Sequence, residues 1–176
     1  NSAWTKTLVN VVAVNNAAPN EIGSAYNIVE NTTQASGASR VDAQLTSQTA
    51  NNYCFSAHVR RGANRYMLGL ISIQGGSTYG VGIDFDAAGG ATIQATSGAL
   101  APVNFGIEKI KGDLYRIFAA ITTSSTANIT YTLRGSNGLA YANRVYPTTN
   151  GNVAFQCAWA QVEIGLKPTS PILTGG

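Results

Sequence analysis

Acid–base chemistry near neutral pH has one imidazole to draw on in this 176-residue chain, His58, which sits beside Arg60 in the run YCFSAHVR. A hydrolytic serine would need a GxSxG elbow and a zinc protease an HExxH helix, and neither spacing occurs. Glycoside hydrolysis needs two carboxylates facing each other across a bond. Asp84 and Asp86 are two residues apart, but Asp86 enters the turn DAAGG (86–90), where an aspartate stabilises the local backbone. The same pair could hold a structural calcium ion only with oxygen ligands from elsewhere in the chain, so no cofactor is expected. No glycine cluster opens a helix, as a phosphate-binding loop requires. Cys54 and Cys157 have neither metal-ligand nor CxxC spacing. They are expected to be buried free thiols, with one long-loop disulfide as the alternative. These residues supply no catalytic constellation, and the chain is read as a non-enzyme.

Composition is compatible with a binding role. Only 11% of residues are charged and 44% are hydrophobic, with a net charge of +3. Small and amide residues fill the remainder, which suits a polar but uncharged surface. The bases are scattered except for Arg60, Arg61 and Arg65, a cluster better read as a solvated rim than as the basic stripe of a nucleic-acid binder. No nucleic-acid partner is expected. The chain lacks a run of 18 apolar residues, so no membrane insertion is expected. The segment NSAWTKTLVN has no signal-peptide core, and Asn1 is not an initiator methionine, so the chain is expected to be a fragment or a processed product. Eight tyrosines, two tryptophans and many amides could supply stacking faces and hydrogen bonds for sugars, although most aromatic residues in a sandwich fill the core. That core role is expected for Phe55, Phe85, Phe118 and Phe155. It is less secure for Tyr66, Tyr79, Tyr141, Tyr146 and Trp159, which lie near strand ends or among polar neighbours.

The elements that must position these residues are strands. Val, Ile, Thr, Tyr and Phe recur in short runs between Gly, Asn and Ser clusters, with almost no helical periodicity. In YGVGIDF (79–85) bulky residues alternate with Gly80, Gly82 and Asp84, so one face is nearly bare. That face either meets solvent or lets something approach the backbone. RYMLGLISI (65–73) is apolar on both sides and reads as a central strand. YCFSAHVR (53–60), LYRIFAAI (114–121), NITYTLRG (128–135) and VAFQCAWAQVEI (153–164) are further strands, with AYNIVENT, SRVDAQLTS and WTKTLVNVVAV as less regular ones. Turns are expected at GGST (75–78), DAAGG, GSNG (135–138) and TTNGN (148–152). Residues 1–176 therefore read as one all-β domain, a two-sheet antiparallel jelly-roll sandwich of about eight to ten strands. Residues 165–176 form an extended tail whose prolines suit a sandwich edge.

The closing run CAWAQVEIGLKPTSPILT resembles the end of the concanavalin A-like, carbohydrate-binding-module-like β-sandwiches of bacteriophage tail fibre and tail spike proteins. Those close roughly as W-G-A-Q-L-E-x-G followed by a P-T-S-Y-I-P-T-like tail. Ala160, Gln161, Val162, Glu163, Gly165, Pro168, Thr169, Ser170, Ile172 and Thr174 match. Upstream, YCFSAHVRRGANRYMLGL, VGIDFDAAGGATIQ, GDLYRIFAAI and IVENTTQASG are similar to further family segments in the same order, over most of residues 22 to 174. Two positions depart from the pattern. Leu114 stands where the family has a tryptophan, and the closing W-G step is Ala158-Trp159. Regular alternation then puts Trp159 on the face of Gln161 and Glu163, unless a bulge intervenes.

The resemblance implies a non-catalytic receptor-binding module of a phage tail fibre or spike. Its partner would be a host cell-surface glycan, its location the virion tail, and its assembly a homotrimer. A structural knob that caps a fibre trimer without touching sugar is the alternative. Trp159, Gln161, Arg116, Tyr66, Tyr79 and Arg65 are assigned to sugar contact. Glu163 needs a partner near its strand end, and Arg116 is expected to form a structural ion pair with it, ahead of any ligand contact.

Overall fold

Alternating apolar residues bury one face of each run, and two such faces closed on each other give the core. The computed structural model describes residues 5–7, 9–14, 25–37 and 39–169, without the side chains of Ala13, Val14, Ala25 and Trp159. Its strands are β1 (Thr5–Thr7), β2 (Val9–Val14), β3 (Ala25–Glu30), β4 (Gln34–Gly37), β5 (Arg40–Gln48), β6 (Asn52–Arg61) and β7 (Tyr66–Ile73). They continue as β8 (Thr78–Asp84), β9 (Thr92–Ala95), β10 (Asn104–Lys111), β11 (Leu114–Thr122), β12 (Ala127–Ser136), β13 (Tyr146–Thr148) and β14 (Val153–Ile164), with one 3-10 turn at Tyr141–Arg144. The first sheet runs β1-β5-β12-β7-β8-β9 and the second β10-β11-β6-β14-β3-β2, while β13 and β4 form a small third pair. Every strand pair is antiparallel. The expected two-sheet antiparallel sandwich is the observed fold, and no α-helix occurs among the described residues.

The core lies between the two six-stranded sheets. From the second sheet come Phe55, Ala57, Val59, Ile117, Ala119, Ile121 and Phe155, and from the first Met67, Ile71, Val81, Ile83, Ile129, Tyr131 and Leu133. Phe55 stacks on Tyr131 at its centre, with ring centroids 4.9 Å apart and planes 25° from parallel. β7 is buried on both faces as its sequence predicts, because Leu68 and Leu70 are covered on the outer side as completely as Met67 and Ile71 are on the inner. The bare face of β8 admits the chain itself. A Cβ at Gly82 would stand 2.9 Å from the carbonyl oxygen of Leu139 and 3.0 Å from its Cδ2, so the loop leading to the 3-10 turn lies directly on the strand.

Several expectations need correction. The run 4–14, read as one strand, divides into β1 in the first sheet and β2 in the second, and Trp4 lies outside the described residues. GSNG is only in part a turn, since Gly135 and Ser136 still pair with Met67 and Tyr66. Phe118 is not in the core, for its register partners are Ser56 and Gly106 on the outer face of the second sheet. Its ring fills the space a Cβ at Gly106 would need, 2.6 Å away. The tail does not follow the sandwich edge. As far as Thr169 it crosses that same outer face, and residues 170–176 lie outside the described residues.

Replacing Gly82 by alanine tests the contact of the loop with β8. The added methyl group overpacks against Leu139 and should cost roughly 1–3 kcal/mol. The urea midpoint is expected to fall with an unchanged m-value, and an unmoved midpoint would show that the loop does not rest there.

Candidate functional site

The outer face of the second sheet gathers three of the sequence-assigned groups, Arg116, Gln161 and Glu163. On β6, Cys54, Ser56 and His58 point outward because Phe55, Ala57 and Val59 point in. β11 brings Arg116 opposite His58, and β14 brings Gln161 opposite Ser56 and Glu163 opposite Cys54. The expected ion pair does not form. Glu163 accepts instead from the backbone N–H of Thr169 at 3.0 Å and from its hydroxyl, and takes a third bond from Gln161 Nε2 at 2.8 Å. Arg116 Nη2 donates to the Thr169 carbonyl oxygen, and Asn104 Nδ2 holds the Leu166 carbonyl oxygen at 2.8 Å. The two charges therefore share a strap rather than each other. The reason is geometric: each finds a backbone partner in the tail crossing above it through a charge-assisted bond, although the Arg116 Nε stays without an acceptor among the described residues. Arg116, His58 and Ser56 are buried on this outer face.

Burial there is felt by the titratable groups. It lowers the His58 pKa to about 4, helped by the Arg116 charge. It raises the Cys54 thiol to about 11, with Glu163 adding to the effect. Cys157 is raised to about 12 by burial alone. Both thiols are free. Cys157 packs toward the core while Cys54 shares the outer face with His58, so β14 and β6 present them to opposite sides and a disulfide between them is sterically barred.

Trp159 occupies a β-bulge. Ala158 pairs with His58 and Gln161 with Ser56, so β14 has two residues, Trp159 and Ala160, where β6 has Ala57 alone. Simple alternation fails at this point, and the Trp159 side chain lies outside the described residues. The other assigned groups are elsewhere. Arg65, in the β6–β7 turn, forks onto Asp84 with two bonds of 2.8 Å and lies 4.9 Å from the Tyr66 ring centroid. Its guanidinium holds the Asp84 carboxyl below its usual range. Asp86 is engaged by Arg61 and donates its N–H to Asp84, so each carboxylate of the calcium candidate faces a guanidinium. No group of three potential metal ligands occurs among the described residues.

A cleft of about 600 Å³ opens at one end of the sandwich, and among the assigned residues whose side chains are described Tyr79 alone lines it. Three segments build it: the β7–β8 turn from Gln74 to Ser77, the β11–β12 loop from Thr122 to Thr126, and a bulge near the end of β5. In that bulge Leu45 pairs with Ile129 but Gln48 with Ala127, leaving one extra residue on β5. Ser47, at φ 52°, is the sole non-glycine in the left-handed region among the described residues, a strained conformation for an L side chain. Asn128 holds the parts together. Its Oδ1 accepts from Ser47 N at 2.8 Å, its Nδ2 donates to Gln74 Oε1, and its carbonyl oxygen accepts from Gln74 N at 2.9 Å. Gly75, at φ 72°, supplies the turn that only glycine adopts easily. The lining is Ser, Thr, Asn, Gln, Gly and Ala with Ile73 and the Tyr79 ring, and carries no charge. Sequence reasoning took these residues for turn punctuation. The readable signal was that TTSST and GGST both flank strong strands.

A second residue missed in the sequence is structural. Glu30 is 2% exposed, accepts from Tyr146 Oη and from Thr149 N at 2.7 Å each, and thereby anchors the 146–152 segment. Asn64 Nδ2 donates to the same phenol oxygen at 2.9 Å, and burial raises the Tyr146 pKa.

No family model and no curated protein matches the chain. Among solved structures, the enzymatically active domain of tailspike protein 4 of bacteriophage CBA120 is similar at a TM-score of 0.51 and 8% identity, over 92% of this chain. The chain spans only 19% of that tailspike chain. A CBM35 from Cellvibrio japonicus Abf62 aligns at a TM-score of 0.39 and 14% identity, over 93% of this chain and 98% of its own. The first likeness shows a shared β-sandwich fold; the second is too weak to carry an argument.

The His58 environment predicts a pH dependence. The folded value near 4 lies below the unfolded value of 6.5. Between these two the unfolded chain binds more protons, so stability falls as pH drops from about 6.5 to 4 and is flat above. The loss should reach roughly 2–3 kcal/mol. Subtracting the urea-derived stability curve of His58→Phe from that of the wild type isolates this contribution, and a difference independent of pH would refute it.

Proposed function

We propose that this chain is a non-catalytic carbohydrate-binding module of a phage tail fibre or spike, and that it holds host-surface glycan in the end cleft. The observation that carries this reading is the lining: hydroxyls, amides and one phenol ring around about 600 Å³, with no charge. That volume falls within the roughly 300–1,000 Å³ usual for small-molecule sites. Uncharged hydroxyl and amide groups can donate to and accept from sugar hydroxyls, and the Tyr79 ring offers an apolar face for a pyranose. The lining offers no carboxylate or imidazole for general acid–base work, so it is suited to holding a sugar rather than cleaving it. The closing motif through Thr169 and the fold shared with a tailspike domain support the phage context.

A glycan array on the isolated chain, followed by calorimetry on any hit, tests the reading. Ser125 is exposed on the cleft rim, so Ser125→Trp should fill the cleft, weaken binding at least about tenfold and leave the melting temperature within about 1 °C. Trp159→Ala should keep binding, since no described residue of β14 lines the cleft. Binding unaffected by Ser125→Trp but lost in Trp159→Ala would return the site to β14. A chain that is trimeric by light scattering and silent on the array would instead support the structural knob.

A further inference from the structure

The outer face of the first sheet carries a charge cluster that the cleft does not use, six residues along β12 from Asn128 and so about 20 Å away. Because Tyr131 and Leu133 point into the core, Thr132 and Arg134 point out. Arg134 stands directly opposite Arg40 in the β12–β5 register, an arrangement in which like charges repel. A third guanidinium comes from the 3-10 turn. The Arg144 Cζ lies 4.1 Å from the Tyr141 ring centroid, its Nη1 donates to Tyr141 O at 3.0 Å, and its own carbonyl oxygen accepts from Arg134 Nη2.

Three guanidinium charges here meet one carboxylate. Asp42 accepts from Arg40 Nε at 2.8 Å and from the Thr132 hydroxyl. Arg134 is 3% exposed, and its Nε is buried without a hydrogen-bond acceptor among the described residues. Burial, with the repulsion of Arg40 and Arg144, lowers its pKa to about 10, so it remains charged at neutral pH. A buried guanidinium is costly, and the charge of Asp42 offsets only part of that here. Arg40, whose side chain is 39% exposed, engages Asp42 through Nε and leaves its two terminal nitrogens available at the surface.

We propose that Arg40, Arg134 and Arg144 form an oxyanion site that takes the carboxylate of an acidic sugar. Arg40 supplies a planar fork at the surface, Arg144 a second guanidinium, and Arg134 a buried charge beneath. Forked donors match a planar carboxylate better than a point charge does. The oxyanion site stands on its own residues; that a sugar carries the anion rests on the carbohydrate reading above.

The test titrates the whole chain with sodium glucuronate, glucose and sodium sulfate at constant ionic strength, reading the melting temperature. At ten times its Kd, glucuronate should raise the melting temperature by about 4 °C, and glucose should not act at this site. Arg40→Gln should weaken the glucuronate effect at least tenfold. Lys109→Gln, which removes an exposed charge on β10, should leave it unchanged. Sulfate stabilises most proteins by exclusion, so only its difference between wild type and Arg40→Gln counts. Should Arg40→Gln not fold, Arg40→Lys keeps the charge without the fork and should still weaken binding. Equal glucuronate shifts in wild type and Arg40→Gln overturn the site. A sulfate difference with no glucuronate effect overturns the carboxylate assignment. Loss of the glucuronate effect in Ser125→Trp would place the anion in the cleft and also overturn the proposal, whereas an empty glycan array with the glucuronate effect intact would count only against the cleft.

Discussion

The stack of Phe55 on Tyr131 fixes which side of each sheet every other residue faces. Phe55 lies in the middle of β6 and Tyr131 in the middle of β12, and both strands are interior to their sheets. Once these rings meet, a period of two dictates the rest. Ser56 and His58 must face outward on one sheet, and Thr132 and Arg134 on the other. A slip of one residue in either strand would put an arginine or histidine into the core and a large apolar ring outside. The apolar contact at the centre thus places the polar groups at the periphery, including those of both proposed sites.

Neither outer face is left wholly to solvent, unlike the half-wet sheets of a simple sandwich. The loop over β8 covers Leu68 and Gly82, and the tail to Thr169 covers His58 and Arg116. Non-strand chain laid over a sheet brings its own backbone polar groups into partly buried space, where they must be bonded. Arg134 and Arg116 each donate to a carbonyl oxygen of the covering segment, at Arg144 and Thr169, and Glu163 takes the Thr169 N–H. Charged residues at outward strand positions serve here as fasteners for loops. This explains why Arg116 and Glu163 do not pair directly: two charges bonded to a common strap satisfy three groups, whereas a direct pair would leave the strap's backbone unsatisfied.

Much of this fold was legible in the sequence because its central strands alternate strongly. The runs that became β6, β7, β8, β11, β12 and β14 end within a residue or two of their expected limits. The edge strand β10 was missed because Glu108, Lys109 and Lys111 interrupt its apolar pattern, charges of the kind that keep an edge from pairing with another chain. The site was less legible. Aromatic type alone does not reveal facing, so Tyr66, Tyr79 and Trp159 were grouped although they lie on three different strands. At Trp159 the bulge breaks the alternation from which its face was read. The cleft is made of residues whose local role is to turn the chain, and nothing in GGST or TTSST states that the two turns end at the same level.

The end cleft differs from the covered faces in how it is held. Its walls are backbone turns joined by one amide, Asn128, which bonds to Ser47 on β5 and to Gln74 in the turn after β7, on either side of β12. The left-handed backbone at Ser47 costs on the order of 1 kcal/mol or more, and an Asn128 side chain that orders two neighbouring segments loses rotamer freedom. Both costs fall on folding rather than on binding, so a ligand entering the cleft meets groups already in position and loses less affinity to ordering them. A bulge with a non-glycine residue at positive φ is an expensive way to end a strand when a glycine turn would serve, as Gly75 does on the adjacent hairpin. Its presence at the cleft wall is accounted for if the displaced Ser47 is needed where the bulge puts it.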